Sequence, residues 1–144
     1  METLAKSSWK SGFRRVMRRE RLLQVVGLAF LASAGINALG LGENIPQTFA
    51  AMAAANAGTR LEPVSELIVA YWGWALGAAV AVMAVTGFAE VARLNWARGA
   101  ALVQVLLMLA YVTLLHRAFP EVMFTDGVIG LALAVALWPG EARV

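Results

Sequence analysis

Near the ends of its long apolar segments, this chain carries carboxylates, an imidazole, a guanidinium and an amide. Asp126 follows Pro120 by six residues, so a rise of 1.5 Å per residue places it about 9 Å into an apolar segment. A carboxylate inside a membrane span costs about 2.5–3.5 kcal/mol on insertion scales, so it normally faces the protein interior and has a partner. The candidate partners of Asp126 are His116, Arg117 or a bound ligand.

Two kinds of role fit Asp126. In the first, an ion pair with Arg117 only holds two neighbouring helices together. In the second, Asp126 and His116 are catalytic residues that exchange protons with a membrane-soluble substrate, which Arg117 or Asn37 polarises. The sequence leaves both roles open.

Other polar residues approach the same level. Asn37, with Ser33 one turn deeper, is near the end of the first apolar segment, and Glu66 is about one turn inside the second. An amide can also bond between helices, and an acid in a first turn can complement the helix dipole. Gln104 and Tyr111 either bridge helices or line the floor of the site. The predicted ligand-binding residues are Asn37, Glu66, Trp72, Arg117 and Asp126.

The residue inventory excludes several kinds of site. The chain has no cysteine and a single histidine, which rules out thiol nucleophiles, iron–sulfur clusters, thiolate zinc sites and histidine-rich metal sites. It contains no nucleotide-binding loop, no HExxH and no GxSxG. We therefore expect no metal and no resident cofactor, with quinone left open as a ligand.

Four apolar segments must position these residues. Hydrophobic residues make up 60% of the chain and charged residues 15%, against about 45–50% and about 25% in soluble domains. A hydrocarbon core about 30 Å thick needs about 20 helical residues. The sequence therefore predicts one all-α domain over residues 1–144, an integral membrane four-helix bundle; a compact soluble bundle is the alternative. The predicted spans cover about residues 22–41, 64–89, 99–117 and 120–138.

The basic residues predict an orientation in the membrane. Of the twelve, seven precede the first apolar segment, and Arg93, Arg98 and Arg143 would share that side. Only Arg60 and Arg117 would lie on the other side. Since basic residues near helix ends stay in the cytoplasm, both termini are predicted to be cytoplasmic. This pattern also argues against nucleic acid as a partner.

Residues 1–21 combine basic and apolar side chains at helical spacing. The apolar positions are Trp9, Phe13, Val16 and Met17. This pattern predicts a helix lying on the inner leaflet, and a disordered basic tail is the alternative. The residues predicted to bind anionic lipid are Arg14, Arg15, Arg18 and Arg19.

The connection between the first two segments, residues 42–63, contains a helical pattern of its own. Residues 47–57 run through helix-forming alanines to Gly58, a natural helix end. The sequence therefore predicts a short helix across the outer face of the bundle.

The second segment carries a stripe of small residues at steps of three and four, which includes Gly73 and Gly77. Because small residues let membrane helices approach closely, the stripe is predicted to face the bundle interior. Trp72 and Trp74 are then predicted to point towards lipid or a subunit partner.

Several features are shared with one group of membrane proteins: a length near 140 residues, a helical outer connection, and the segments Tyr71-Trp-Gly-Trp-Ala-Leu-Gly77 and Asp126-Gly-Val-Ile-Gly130. In these the chain resembles the DoxX-like superfamily of small bacterial four-helix membrane proteins. The resemblance implies a multi-pass protein of the bacterial inner membrane, and some members are membrane subunits associated with quinone and sulfur redox chemistry. The cysteines of some redox members are missing here, so no thiol-based activity is expected.

Three functions remain open. The first is binding of a lipophilic small molecule, quinone- or lipid-like, at a polar pocket in the outer third of the bundle, alone or as a subunit of a larger membrane system. The second is a cofactor-free membrane enzyme, an isomerase, hydrolase or cyclase, that uses Asp126 and His116 for acid–base chemistry. The third is a structural or assembly subunit that contacts another copy of the chain or a membrane-complex partner.

Overall fold

The chain is helical throughout its regular structure, as far as the structure describes it. The computed structural model describes residues 2–41 and 44–137, with side chains for residues 19–41, 44–133 and 137. No strand occurs in these residues, so the prediction of an all-α chain is confirmed. The helices are α1 (Glu2–Ala38), α2 (Ile45–Asn56), α3 (Glu62–Ala70), α4 (Trp72–Val91), α5 (Ala97–Leu115) and α6 (Val122–Leu137).

Three of these helices are long and apolar enough to cross a membrane. They are the Arg19–Ala38 part of α1, α4 and α5, and α6 is a shorter apolar helix. Large apolar side chains also cover the outer surface: Trp74 is 83% exposed and Phe124 is 78% exposed. Soluble monomers rarely expose large contiguous apolar surfaces, so this surface favours a membrane environment.

Helices α1, α4, α5 and α6 pack side by side in a closed ring, called the bundle below. α1 contacts α4, α4 contacts α5, α5 contacts α6, and α6 returns to α1. The ring closes around a shared core to which all four helices contribute. Its buried residues are Val26, Phe30, Ala34, Met83, Ala101, Met108 and Leu133.

The first helix is longer than the sequence predicts. α1 is one uninterrupted helix of 37 residues, so no break separates an interfacial helix over residues 1–21 from the first span. The reason is local: residues 17–24 are strong helix formers without glycine or proline, so nothing bends the chain there. The side chains of the amphipathic pattern, and of Arg14, Arg15 and Arg18, lie outside the described side chains.

The second apolar segment is divided, although the sequence predicts one continuous helix over residues 64–89. α3 ends at Ala70 and α4 begins at Trp72, with Tyr71 at φ −120° and ψ 34° between them. The Tyr71 carbonyl then accepts hydrogen bonds from the backbone N–H groups of Trp74 and Ala75, which starts α4. The break frees α3 to pack against α2.

The short helix predicted over residues 47–57 is confirmed as α2. Pro46 lies in its first turn, where a missing N–H leaves no bond unmade. Gly58, at φ +72°, follows its end in the left-handed region that glycine adopts readily. α2 and α3 form a layer, called the cap, that reaches α5 at one end of the bundle. The opposite end carries Arg19, Arg93 and Arg98 and is called the basic end.

The predicted end of the fourth span, at residue 138, lies outside the described residues.

Candidate functional site

Two of the predicted site residues make their hydrogen bonds within their own helices. The Asn37 Nδ2 donates to the Ser33 carbonyl oxygen at 2.8 Å. The His116 Nδ1 lies 3.0 Å from the carbonyl oxygens of both Val112 and Thr113. Neither side chain bonds to another predicted site residue in the part of the chain that the structure describes. The polar cluster of the sequence analysis is therefore not a connected network.

Asp126 is partly buried near the start of α6. Its one hydrogen bond within the described residues comes from Thr125 Oγ1 at 3.5 Å, the limit of hydrogen-bond distance. Across residues 2–41 and 44–137 it forms no ion pair with Arg117, which is exposed. Asp126 does interact electrostatically with Tyr111 on α5. The described contacts thus do not support an ion pair between Asp126 and Arg117 that holds two helices together. The neighbour with which Asp126 does interact is Tyr111.

The remaining predicted residues face outward. Glu66 and Trp72 are exposed, and Trp74 is exposed as predicted. A Cβ added to Gly73 or Gly77 would meet no atom of a neighbouring helix within 4 Å. The prediction that the small-residue stripe faces the interior is therefore wrong at Gly73 and Gly77, although Ala84, the last residue of the stripe, packs against the core. A different face of α4 packs against α1, because Gly87, near the other end of α4, makes that contact.

An apolar cavity of about 270 Å³ lies beneath the cap, between α2, α4 and α5. Tyr111 supplies the one polar side chain among its lining residues in the described chain. Small-molecule sites in proteins are mostly apolar clefts with a few polar groups, and this cavity is slightly smaller than their usual range of about 300–1,000 Å³. Its walls include Phe49, Met52, Leu76, Ala79, Leu107 and Tyr111.

One buried amide fixes the cap over this cavity. Asn56, at the end of α2, is 0% exposed. Its Nδ2 donates to Ser65 Oγ of α3 at 3.0 Å and to the Leu114 carbonyl of α5 at 2.9 Å. The Asn56 Oδ1 has no hydrogen-bond partner among the described residues. Three helices therefore depend on this one side chain, which sequence analysis did not single out.

A second polar site lies at the basic end, where sequence analysis placed none. Glu90, in the last turn of α4, is 1% exposed, and in the described structure neither of its carboxylate oxygens has a hydrogen-bond partner. Gln104 of α5 lies beside it. The Gln104 Nε2, however, donates to Thr86 Oγ1 at 3.1 Å. Glu90 is thus a buried acid beside an amide, and neither its oxygens nor the Gln104 Oε1 makes a hydrogen bond of good geometry in the described structure.

Two glycines bury Glu90. A Cβ on Gly27 of α1 would lie 2.8 Å from the Glu90 Cβ and 2.8 Å from the Gly87 carbonyl oxygen. A Cβ on Gly87 of α4 would lie 2.7 Å from the Gly27 carbonyl oxygen. The backbones of α1 and α4 are therefore in contact at this crossing, which covers Glu90.

The turn between α4 and α5 is tied to α1 by polar contacts. Arg93 donates from Nη2 to Gln24 Oε1 at 3.0 Å, and its Nη1 lies 3.8 Å from the Glu20 carboxylate. The Gln24 Nε2 in turn donates to the Val91 carbonyl at 3.2 Å. Arg93 has φ 54°, a left-handed conformation that costs a non-glycine residue roughly 1–2 kcal/mol. These contacts with α1 hold Arg93 in that conformation.

A cavity of about 330 Å³ opens beside this turn. Its charged and polar lining residues are Arg19, Glu20, Glu90, Arg93, Asn95 and Arg98. The bundle thus has an apolar cavity at one end and a charged cavity at the other. Within the described residues, no three histidine or carboxylate side chains come together as a group that could hold a metal ion.

Comparison with known proteins gives one family. Residues 21–140 match the family described as "Family of unknown function (DUF6041)", and the chain belongs to that family. No curated protein and no solved structure matches the chain. The matched region contains all of the residues that line the apolar cavity, and it contains Glu90. Because the family has no known function, the proposals below rest on these two sites.

Proposed function

We propose that the protein is an integral membrane protein that binds a lipophilic small molecule, quinone- or lipid-like, in the apolar cavity beneath the cap. The observation that carries this proposal is the cavity itself, which is about 270 Å³ and has Tyr111 as its one polar lining side chain among the described residues. A ring or a length of acyl chain that enters the cavity from the bilayer would be held by van der Waals contacts with the apolar walls, since lipid is as apolar as these side chains.

The membrane location rests on four crossings. Three helices are long enough to cross a membrane: α4, α5 and the apolar part of α1. The fourth, α6, has 16 described residues and is about 24 Å long. A short span is accommodated by local thinning of the bilayer. Arg93 and Arg98 at the basic end favour that end as the cytoplasmic one, with both termini there. The compartment is the bacterial cytoplasmic membrane, as the DoxX-like resemblance implies.

Tyr111 and Asp126 supply the polar end of the ligand site. Tyr111 lines the cavity, and Asp126 interacts with it electrostatically from α6. A phenol hydroxyl can donate a hydrogen bond to a carbonyl or headgroup oxygen of a lipophile. None of the five predicted ligand-binding residues lines this cavity in the described chain. Asp126 is connected to it only through its electrostatic interaction with Tyr111.

Acid–base catalysis by Asp126 and His116 has weaker support. The His116 Nδ1 lies against carbonyl oxygens of its own helix, and no described contact joins it to Asp126. The enzyme alternative therefore has no geometric observation of its own.

The outward-facing glycines favour a second candidate function, assembly with another copy of the chain. Gly73 and Gly77 have open space at their Cβ positions, and the neighbouring Trp72 and Trp74 are exposed. In membranes, a face of small residues allows close approach of another helix. This surface would make the protein a subunit of a homo-oligomer.

Native mass spectrometry of the detergent-extracted protein tests the ligand proposal. Wild-type protein is expected to retain a lipophile, or to bind added decylubiquinone or palmitate. Ala78→Phe places a ring in the open side of the cavity and should abolish binding, because Ala78 lines the cavity and is exposed. Ala81→Phe is the matched control, since Ala81 is exposed on the same helix and does not line the cavity.

Equal binding by the two variants, both folded, would contradict the ligand proposal.

The assembly candidate is tested by disulfide crosslinking. The chain has no cysteine, so Gly77→Cys cannot form a disulfide within one copy, and a band at twice the chain mass reports a disulfide between two copies. Under mild oxidation in the membrane it should give a dimer band on a non-reducing gel, whereas Leu106→Cys, at an exposed apolar position of α5, should not. Equal crosslinking at both positions would indicate random collision.

A further inference from the structure

Glu90 is an acid placed where packing alone would favour an apolar side chain. It is 1% exposed, and neither carboxylate oxygen has a hydrogen-bond partner in the described part of the chain. Buried polar groups in proteins are nearly always bonded, and ionisable residues inside membrane helices usually mark functional sites. Glu90 also lines the cavity at the basic end, with its carboxylate oxygens enclosed in the cavity wall, so a turn of this side chain would bring it to a molecule in the cavity.

The shape of the helix crossing leaves room for this carboxylate. A Cβ on Gly27 would lie 3.1 Å from Glu90 Oε2 and 2.8 Å from the Glu90 Cβ. Any residue other than glycine at position 27 would therefore displace Glu90. The crossing therefore places the acid at the edge of the cavity, between α1 and α4.

Arginine side chains line the same cavity as Glu90. Arg93 is bonded to Gln24 and lies near Glu20, whereas Arg19 and Arg98 form no ion pair with any described residue. Two guanidinium groups are thus free to bind an anion, and arginine matches the geometry of phosphate well. A ligand that satisfies the whole cavity carries an anionic group for the arginines and a hydrogen-bond donor for Glu90.

We propose that this cavity binds a phosphate ester that carries a hydrogen-bond donor. Arg19 and Arg98 hold the phosphate, and Glu90 accepts the hydrogen bond from an ammonium or hydroxyl group. The headgroup of phosphatidylethanolamine has this chemistry, and so does a soluble phosphate ester such as O-phosphoethanolamine. The site is separate from the proposed lipophile site, because the two cavities share no lining residue.

Phosphatidylethanolamine and phosphatidylcholine with identical acyl chains form the decisive pair of probes. Both carry the same phosphate, but the choline nitrogen has no N–H to donate. Native mass spectrometry of the full chain in detergent, with equal amounts of the two lipids, should show about tenfold preference for phosphatidylethanolamine, as expected for one additional hydrogen bond to the buried carboxyl group.

Glu90→Gln should reduce this preference to about twofold or less, because a neutral amide accepts more weakly. The matched control is Glu121→Gln, an exposed acid at the cap end, which should keep the preference of the wild type. Ala78→Phe should keep it as well, which separates failure of this site from failure of the lipophile site.

Arg98→Gln reports on the phosphate and does not depend on the buried acid. Arg98 is exposed, so the variant should fold, and it should bind both lipids about threefold more weakly. Arg60→Gln, an exposed arginine at the cap end, is its control and should bind both lipids as the wild type does. If Glu90→Gln does not fold, the arginine pair decides the outcome.

Competition identifies the source of the ligand. Displacement of bound phosphatidylethanolamine by millimolar O-phosphoethanolamine would assign the site to a soluble phosphate ester, and resistance to it would assign the site to membrane lipid. Wild-type protein that does not distinguish the two lipids would overturn the proposal. So would a folded Glu90→Gln variant that keeps the full preference, or an Arg98→Gln variant that binds both lipids as well as Arg60→Gln does.

Discussion

At the basic end of the bundle the backbones of α1 and α4 touch at Gly27 and Gly87, whereas nearer the cap end Gly73 and Gly77 have no neighbouring helix beside them. The first pair is divided between two helices, and nothing in the spacing along the chain connects them. The second pair forms the motif that sequence analysis recognises. A close helix crossing therefore depends on small residues that meet across the contact, and a motif in one helix does not identify the helix that it faces.

The two ends also differ in how they treat polar groups. At the cap end, the amide of Asn56 bonds two helices and leaves an apolar cavity beneath it. At the basic end, the tight crossing encloses Glu90 and leaves a charged cavity beside it. Tight backbone packing thus accompanies the buried acid, and looser packing accompanies the apolar cavity.

The largest effect is expected from an added methyl group at the crossing. Gly27→Ala should lower the free energy of unfolding by about 3 kcal/mol, because its Cβ would overlap the Gly87 carbonyl and backbone must move. Gly77→Ala should leave stability unchanged or raise it by up to about 1 kcal/mol, since alanine is the better helix former. Thermal unfolding in detergent measures both, and equal losses would remove the distinction between the two glycine pairs.

A smaller effect is expected at the cap. Asn56→Ala removes two hydrogen bonds and should lower the free energy of unfolding by about 2 kcal/mol. Hydrogen exchange should rise in α2 while α1 stays protected. Gln47→Ala, at an exposed position of the same helix, is the control and should change stability by less than about 0.5 kcal/mol. Unchanged exchange in α2 would show that Asn56 does not hold the cap.

The hydrogen bond between Gln104 and Thr86 should contribute less. A double-mutant cycle with Gln104→Leu and Thr86→Val is expected to give a coupling free energy of about 0.6 kcal/mol, the average found between membrane helices. Coupling near zero would contradict a stabilising hydrogen bond between Gln104 and Thr86.

The smallest effect is expected from the residues that sequence analysis favoured most. Asp126→Asn and Arg117→Gln should each change the free energy of unfolding of ligand-free protein by less than about 0.5 kcal/mol, because neither breaks an ion pair among the described contacts. A loss of about 3 kcal/mol in each would reveal a buried ion pair and would make the cap end the more polar of the two.

Sequence patterns predict the parts of this fold that depend on one helix at a time. Long apolar runs indicated the helices, and the alanine run that ends at Gly58 indicated α2. The break at Tyr71 was missed because the helical pattern continues through it. Glu90 was missed because it lies at the edge of a segment, near Arg93, where an acid usually faces water. Its burial requires Gly27, a residue 63 positions away in the chain.

The unbroken length of α1 couples distant parts of the molecule. Residues 2–18 extend about 26 Å beyond the apolar part of this helix, at 1.5 Å per residue. With no hinge along the axis, turning that extension would rotate Gly27 as well, and the side chain at the next position would then press on Gly87. The orientation of residues 2–18 about the helix axis is therefore coupled to the packing of Gly27 against Gly87. A torque applied to residues 2–18 would loosen the packing around Glu90 before it disturbed the cap.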